Sequence, residues 1–118
     1  MIVKVPFVDI EQAFLDHFIH GKPMSDIAKE RGYSTAILYR AFIQRHLAIS
    51  QWAKGKGLPY VDWGSKNKSL YKWVALNEYQ RVVAQSNRLS TMFRFVLAEI
   101  QRKKMDPAEY IKGLNHMP

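Results

Sequence analysis

Between Met24 and Phe42 the chain places Ala28, Gly32 and Leu38 where two short, steeply crossing helices need a small residue, a turn tolerant of positive φ and an apolar anchor. Ile27 fills the remaining apolar position. The glycine ends one helix and sets the angle at which the next leaves, so the first part of the chain is restricted to compact helical packing. Upstream, Phe7, Ile10, Phe14 and Phe18 recur at three- and four-residue steps beside Ala13, Leu15 and Ile19. That spacing predicts an amphipathic helix, capped by Asp9 and stopped by Gly21 and Pro23. A second helix is expected over Met24–Arg31 with Ser25 as N-cap, and a third from Ser34 or Thr35 to about His46, with Ile37, Leu38, Ala41 and Phe42 as its apolar stripe.

Residues 47–53 extend the third helix or add a turn or two, and Lys54-Gly55-Lys56-Gly57 before Pro59 breaks it. A basic loop is expected over 54–68, with at most a vestigial hairpin at 58–64. Leu70, Trp73, Val74, Val82, Val83, Leu89, Phe93, Val96, Leu97 and Ile100 then read as helix almost continuously to Lys104, broken near 86–91. Asp106-Pro107-Ala108-Glu109 opens one last short helix. The expected fold is mainly α: a three-helix unit over 1–53, the basic loop over 54–68 and a helical region over 69–118, packed together as a single compact domain.

Composition narrows the function classes. With 118 residues, 47% of them hydrophobic, and no cysteine, the chain suits one soluble domain without disulfides, thiolate zinc sites or a cysteine nucleophile. No apolar run approaches the roughly 18 residues of a membrane span, and the first six residues lack the pattern of a secretory leader, so a cytoplasmic protein is expected. The net charge is +8. It is concentrated in residues 51–104, where eleven basic side chains face three acidic ones, whereas 1–50 carry six against five and 105–118 one against two. A local excess of this kind attracts polyanions, nucleic acid first. His17, His20 and His46 accompany no carboxylate-histidine signature, and no phosphate loop, serine elbow or carboxylate pair stands out. Neither an enzyme, a cofactor nor a small-molecule ligand is indicated.

The segment Met24 to Phe42 resembles a helix-turn-helix. Ile27-Ala28-Lys29 followed by Thr35-Ala36-Ile37-Leu38-Tyr39-Arg40 is similar to the DNA-binding module of the resolvase and invertase recombinases, over residues 22–46 and without their catalytic domain. Arg31 stands where many such motifs carry an apolar residue, and its head is expected toward solvent or phosphate. The resemblance implies a recognition helix that enters the major groove by its N-terminal end, with Ser34, Thr35, Ala36, Tyr39, Arg40 and Gln44 facing DNA. Arg40 suits bidentate pairing to guanine, and Ala36 suits a thymine methyl. Ser34 and Thr35 serve equally as helix caps. Lys54, Lys56, Lys66 and Lys68, interleaved with Tyr60 and Trp63, suit phosphate contact, while Trp52, Trp63, Trp73, Tyr60 and Tyr71 are expected mainly to anchor the loop on the core.

Leu89, Met92, Phe93, Phe95, Val96, Leu97 and Ile100 cover more than half of a helix circumference, which suggests a homodimer through the C-terminal helices. The expected function is sequence-specific binding of double-stranded DNA by a dimeric, repressor-like transcriptional regulator. A plasmid or phage accessory protein of partition, transfer, replication or packaging is the nearest alternative. A helical protein-interaction adaptor with a basic surface is the alternative of another class.

Overall fold

The computed structural model describes residues 5–112, and the chain divides into two compact units, Met1–Arg45 and His46–Pro118. The leader reading of the first residues and the end of the 69–118 region lie outside the described residues, as does the side chain of Phe7.

Unit 1 is helical. Helix α1 (Phe7–Phe14) runs into a single wide turn of π-helix (Leu15–Ile19), and α2 (Met24–Arg31) and the start of α3 (Thr35–Gly55) follow. Both α1 and α2 begin after a proline rather than after the expected side-chain caps. Pro6 and Pro23 hold extended backbone (ψ 148° and 141°) immediately before the first helical residue, so Asp9 and Ser25 fall inside the first turn. Ile10, Ala13, Phe14, Ile27, Ala28, Leu38, Ala41 and Phe42 are buried and make the core of this unit, with the Phe14 and Phe42 rings stacked at 4.2 Å.

Unit 2 corrects the mainly α expectation. It holds a three-stranded antiparallel meander, β1 (Tyr60–Trp63), β2 (Trp73–Leu76) and β3 (Val82–Ser86), in the order β1-β2-β3. The register pairs Tyr60 with Leu76 and Trp63 with Trp73 across β1 and β2, and Trp73 with Ser86 across β2 and β3, with a bulge beside Ala75 and Leu76. The segment 54–68 is therefore not loop throughout, and 69–88 is not helix.

The physical reason lies in three features. Trp73, Val74, Ala75 and Leu76 are all buried, and such a run has no period of its own to separate helix from central strand. Val82 and Val83 favour the pleated backbone. Between them Asn77 closes a tight turn, its Oδ1 accepting from Tyr79 N at 2.9 Å and Arg81 N at 3.1 Å while Gln80 takes φ +62°. A side chain that satisfies its neighbours' amides in this way competes directly with helix.

Helix α4 (Leu89–Arg102) lies on the sheet and touches all three strands, and the short α5 (Pro107–Ile111) packs on α4. The last helix starts as its sequence requires, with Asp106 Oδ1 accepting from Ala108 N at 3.0 Å and Pro107 in first position. Leu89, Met92, Phe93, Val96, Leu97 and Ile100 are all buried. The sheet thus packs against much of the apolar surface of α4, while Phe95 stays half-buried.

Candidate nucleic-acid interface

The turn between α2 and α3 is built from the residues that the motif requires. Gly32 takes φ +75° and ψ 25°, and Tyr33 N reaches back to Ala28 O at 2.9 Å, closing α2 in the manner of a Schellman motif. Ser34 then caps α3, its Oγ accepting from Ile37 N at 3.2 Å. Capping therefore occupies Ser34, which keeps only its hydroxyl proton and one lone pair for another partner.

From Thr35 onward the helix has two distinct sides. Leu38, Ala41, Phe42 and Arg45 are buried, whereas Thr35, Ala36, Tyr39, Arg40 and Gln44 are exposed. At 3.6 residues per turn, Thr35, Ala36, Tyr39 and Arg40 fall within an arc of about 140° opposite the buried set, with Gln44 at its margin. Arg40 makes no hydrogen bond or ion pair among the described residues. A cationic fork on an open helix face, next to a methyl-sized residue and two hydroxyls, matches the donor and acceptor pattern of base edges in a major groove.

The scaffold behind that face is fixed by charge as well as by packing. Arg31 does not point to solvent: Nη1 lies 3.0 Å from Asp9 Oδ1 and Nη2 3.9 Å from Asp16 Oδ2. Tyr33 donates its hydroxyl to Asp9 Oδ2 at 2.8 Å, and this bond raises the pKa of the phenol. Arg31 is thus engaged within the unit, against Asp9 and Asp16. Buried Arg45 sits 3.5 Å from Glu11 Oε2; burial pulls its guanidinium below the ordinary pKa, and Glu11 partly restores it.

In unit 2 the four lysines of the basic segment are all exposed. Lys54 is in the last turn of α3, Lys56 in the turn that follows, and Lys66 and Lys68 are in the connection from β1 to β2, where Lys68 takes φ +58°. The aromatic residues are mostly structural. Trp73 and Tyr60 are buried, Trp63 stacks on Trp73 at 4.2 Å, and Trp52 meets Tyr110 edge-on at 6.1 Å. Of Trp52, Tyr60, Trp63, Tyr71 and Trp73, only Tyr71 is exposed. Sequence reasoning missed Leu70 and the residues that hold its loop, Gln85 and Asn87, because it assigned all three to helix or a helix break; the signal for them was the β-branched and aromatic content on either side.

His17 and His46 serve packing. The His17 ring bonds Lys22 O through Nδ1 at 2.8 Å, and buried His46 meets Trp73 edge-on at 5.0 Å. Among the described residues no group of three or more His, Asp or Glu is placed to hold a metal, and no helix is long and apolar enough to cross a membrane. Compared with known proteins, the chain matches no family model, no curated sequence and no solved structure.

Proposed function

We propose that the chain is a sequence-specific double-stranded DNA-binding protein of the helix-turn-helix type, acting as a transcriptional regulator. The observation that carries the reading is the open outer side of α3 immediately after the Gly32 turn, where Thr35, Ala36, Tyr39 and Arg40 are exposed together while the opposite side builds the core. Thr35 and Tyr39 suit phosphate oxygens and acceptors, Ala36 a thymine methyl, and Arg40 the O6 and N7 of guanine. The basic excess of residues 51–104 adds sequence-independent attraction to the phosphates.

Selection of bound sequences from a random duplex pool tests the reading. A recovered motif that outlasts competitor DNA as salt is raised supports it, and a palindrome with half-sites about 34 Å apart would imply two copies on the site. A pool that enriches no motif, with binding that vanishes under competitor, refutes it.

A further inference from the structure

The connection from β1 to β2, residues 64–72, is held by hydrogen bonds at both ends and at Asn67 and Ser69. Gly64 N donates to Lys72 O at 2.8 Å, and Asn67 N and Ser69 N donate to Gly64 O at 3.0 and 2.9 Å. Ser69 Oγ bonds Gln85 Oε1 at 2.6 Å and accepts from Tyr71 N at 3.1 Å, while Lys72 N donates to Asn87 Oδ1 at 3.0 Å. At the tip, between the bonded Ser69 and Lys72, two apolar side chains stand outward: Leu70 is 103% exposed and Tyr71 45%. A lone exposed leucine is ordinary. Here the residues on both sides are hydrogen-bonded to β3 and its flank, which holds Leu70 at the tip of the connection.

The exposed charges of this connection are cationic, and Asp62 at its base accepts from Asn67 Nδ2 at 3.3 Å. Lys66, Lys68 and Lys72 are exposed within the same connection, and Arg88, beside the Asn87 that holds Lys72, is exposed as well. From Trp63 to Asn77 the sequence contains no Asp or Glu. None of these four cations forms an ion pair among the described residues. A stiff apolar point in a cationic collar has the chemistry of side chains that enter the minor groove and part a base step while lysines neutralise the phosphates on either side. Leucine with half of one tyrosine is area for a single base step, whereas attachment to an anionic bilayer draws on a whole apolar helix face.

We propose that the β1–β2 connection is a minor-groove wedge, with Leu70 entering between base pairs of duplex DNA and Lys66, Lys68 and Lys72 holding the flanking phosphates. The inference shares with the proposed function its duplex partner but not the helix that reads sequence.

The test is titration of the full chain into a short A·T-rich duplex carrying 2-aminopurine, whose fluorescence rises when it is unstacked. The expected result is a rise on binding that Leu70→Ala removes without changing the melting temperature, since the leucine side chain is wholly in solvent. Lys66→Ala with Lys68→Asn and Lys72→Ala, the asparagine chosen to tolerate positive φ, should flatten the slope of log K against log salt by about 0.9 for each phosphate no longer neutralised. Binding with a selected motif but no fluorescence rise overturns the wedge and leaves the α3 reading standing. A rise that persists in Arg40→Ala with no sequence preference in the parent chain supports the wedge and overturns the α3 reading. Binding to phosphatidylserine vesicles that depends on Leu70, with none to duplex, overturns both.

Discussion

Arg31 and Asp9, 22 residues apart in sequence, meet at 3.0 Å and tie the second helix of unit 1 to the first. Asp9 also accepts from Tyr33 at 2.8 Å, so one carboxylate anchors both ends of the turn at Gly32. The arginine that departs from the usual apolar pattern of such motifs thus replaces a packing contact with a charge-assisted one.

Arg31→Ala should therefore act on stability and not on DNA. A loss of about 1 kcal/mol is expected for a half-buried pair of this kind. Thermal unfolding reads the loss, and the salt dependence of duplex binding should be unchanged; a shallower salt slope would mean that Arg31 meets phosphate after all.

Arg40→Ala should do the opposite. Its side chain supports nothing in the core, so the melting temperature should hold while affinity for the selected site falls by about 1–3 kcal/mol and preference relaxes at one base pair. Binding isotherms on the site and on its single-base variants measure both. Unchanged affinity and preference would show that this side of α3 does not face bases.

Gly32→Ala and Gly64→Ala separate two uses of glycine. At Gly32 an added Cβ meets nothing within 4 Å, so only the positive φ opposes it, at about 1 kcal/mol. At Gly64 the same atom would collide with Tyr71 O and lie 2.9 Å from Tyr71 C, which forces the end of the β1–β2 hairpin apart. A cost near the upper end of overpacking, about 3 kcal/mol, is expected there. Denaturant midpoints of the two variants should differ accordingly, and equal midpoints would contradict the close approach.

Tyr110 is fully buried, and its hydroxyl donates to Pro59 O at 2.7 Å. Burial, and to a lesser degree Tyr60, push its pKa far above the usual tyrosine range. A folded pKa above the unfolded one means that this contribution to stability is complete below about pH 10 and is lost as pH rises beyond it. Tyr110→Phe should cost about 1–2 kcal/mol at neutral pH, by leaving the Pro59 carbonyl without its donor. It should also make the alkaline decline of the melting temperature shallower than in the parent chain. Parallel declines would show that Tyr110 does not carry the effect.

The helical unit was legible because its signals are local. Gly32 needs positive φ whatever surrounds it, Ser34 caps its own helix, and the three- and four-residue spacing of Ile10, Phe14, Leu38 and Phe42 fixes which side is covered. The exposed positions of α3 follow from the same period, and the last helix announces itself through Asp106 and Pro107. Residues 69–88 carry no such local rule. Trp73, Val74, Ala75 and Leu76 suit a buried helix or a central strand equally, and only their pairing with Tyr60–Trp63 on one side and Val82–Ser86 on the other makes them β2. Hydrogen bonds between strands join residues that the sequence keeps apart, and no window along the chain contains both partners. The same tertiary choice buried the apolar side of α4 against the sheet and turned Leu70 outward. Sequence alone thus determined where the helices of unit 1 turn and which side they cover; the pairing of distant strands decided what unit 2 is and which of its apolar residues remain in water.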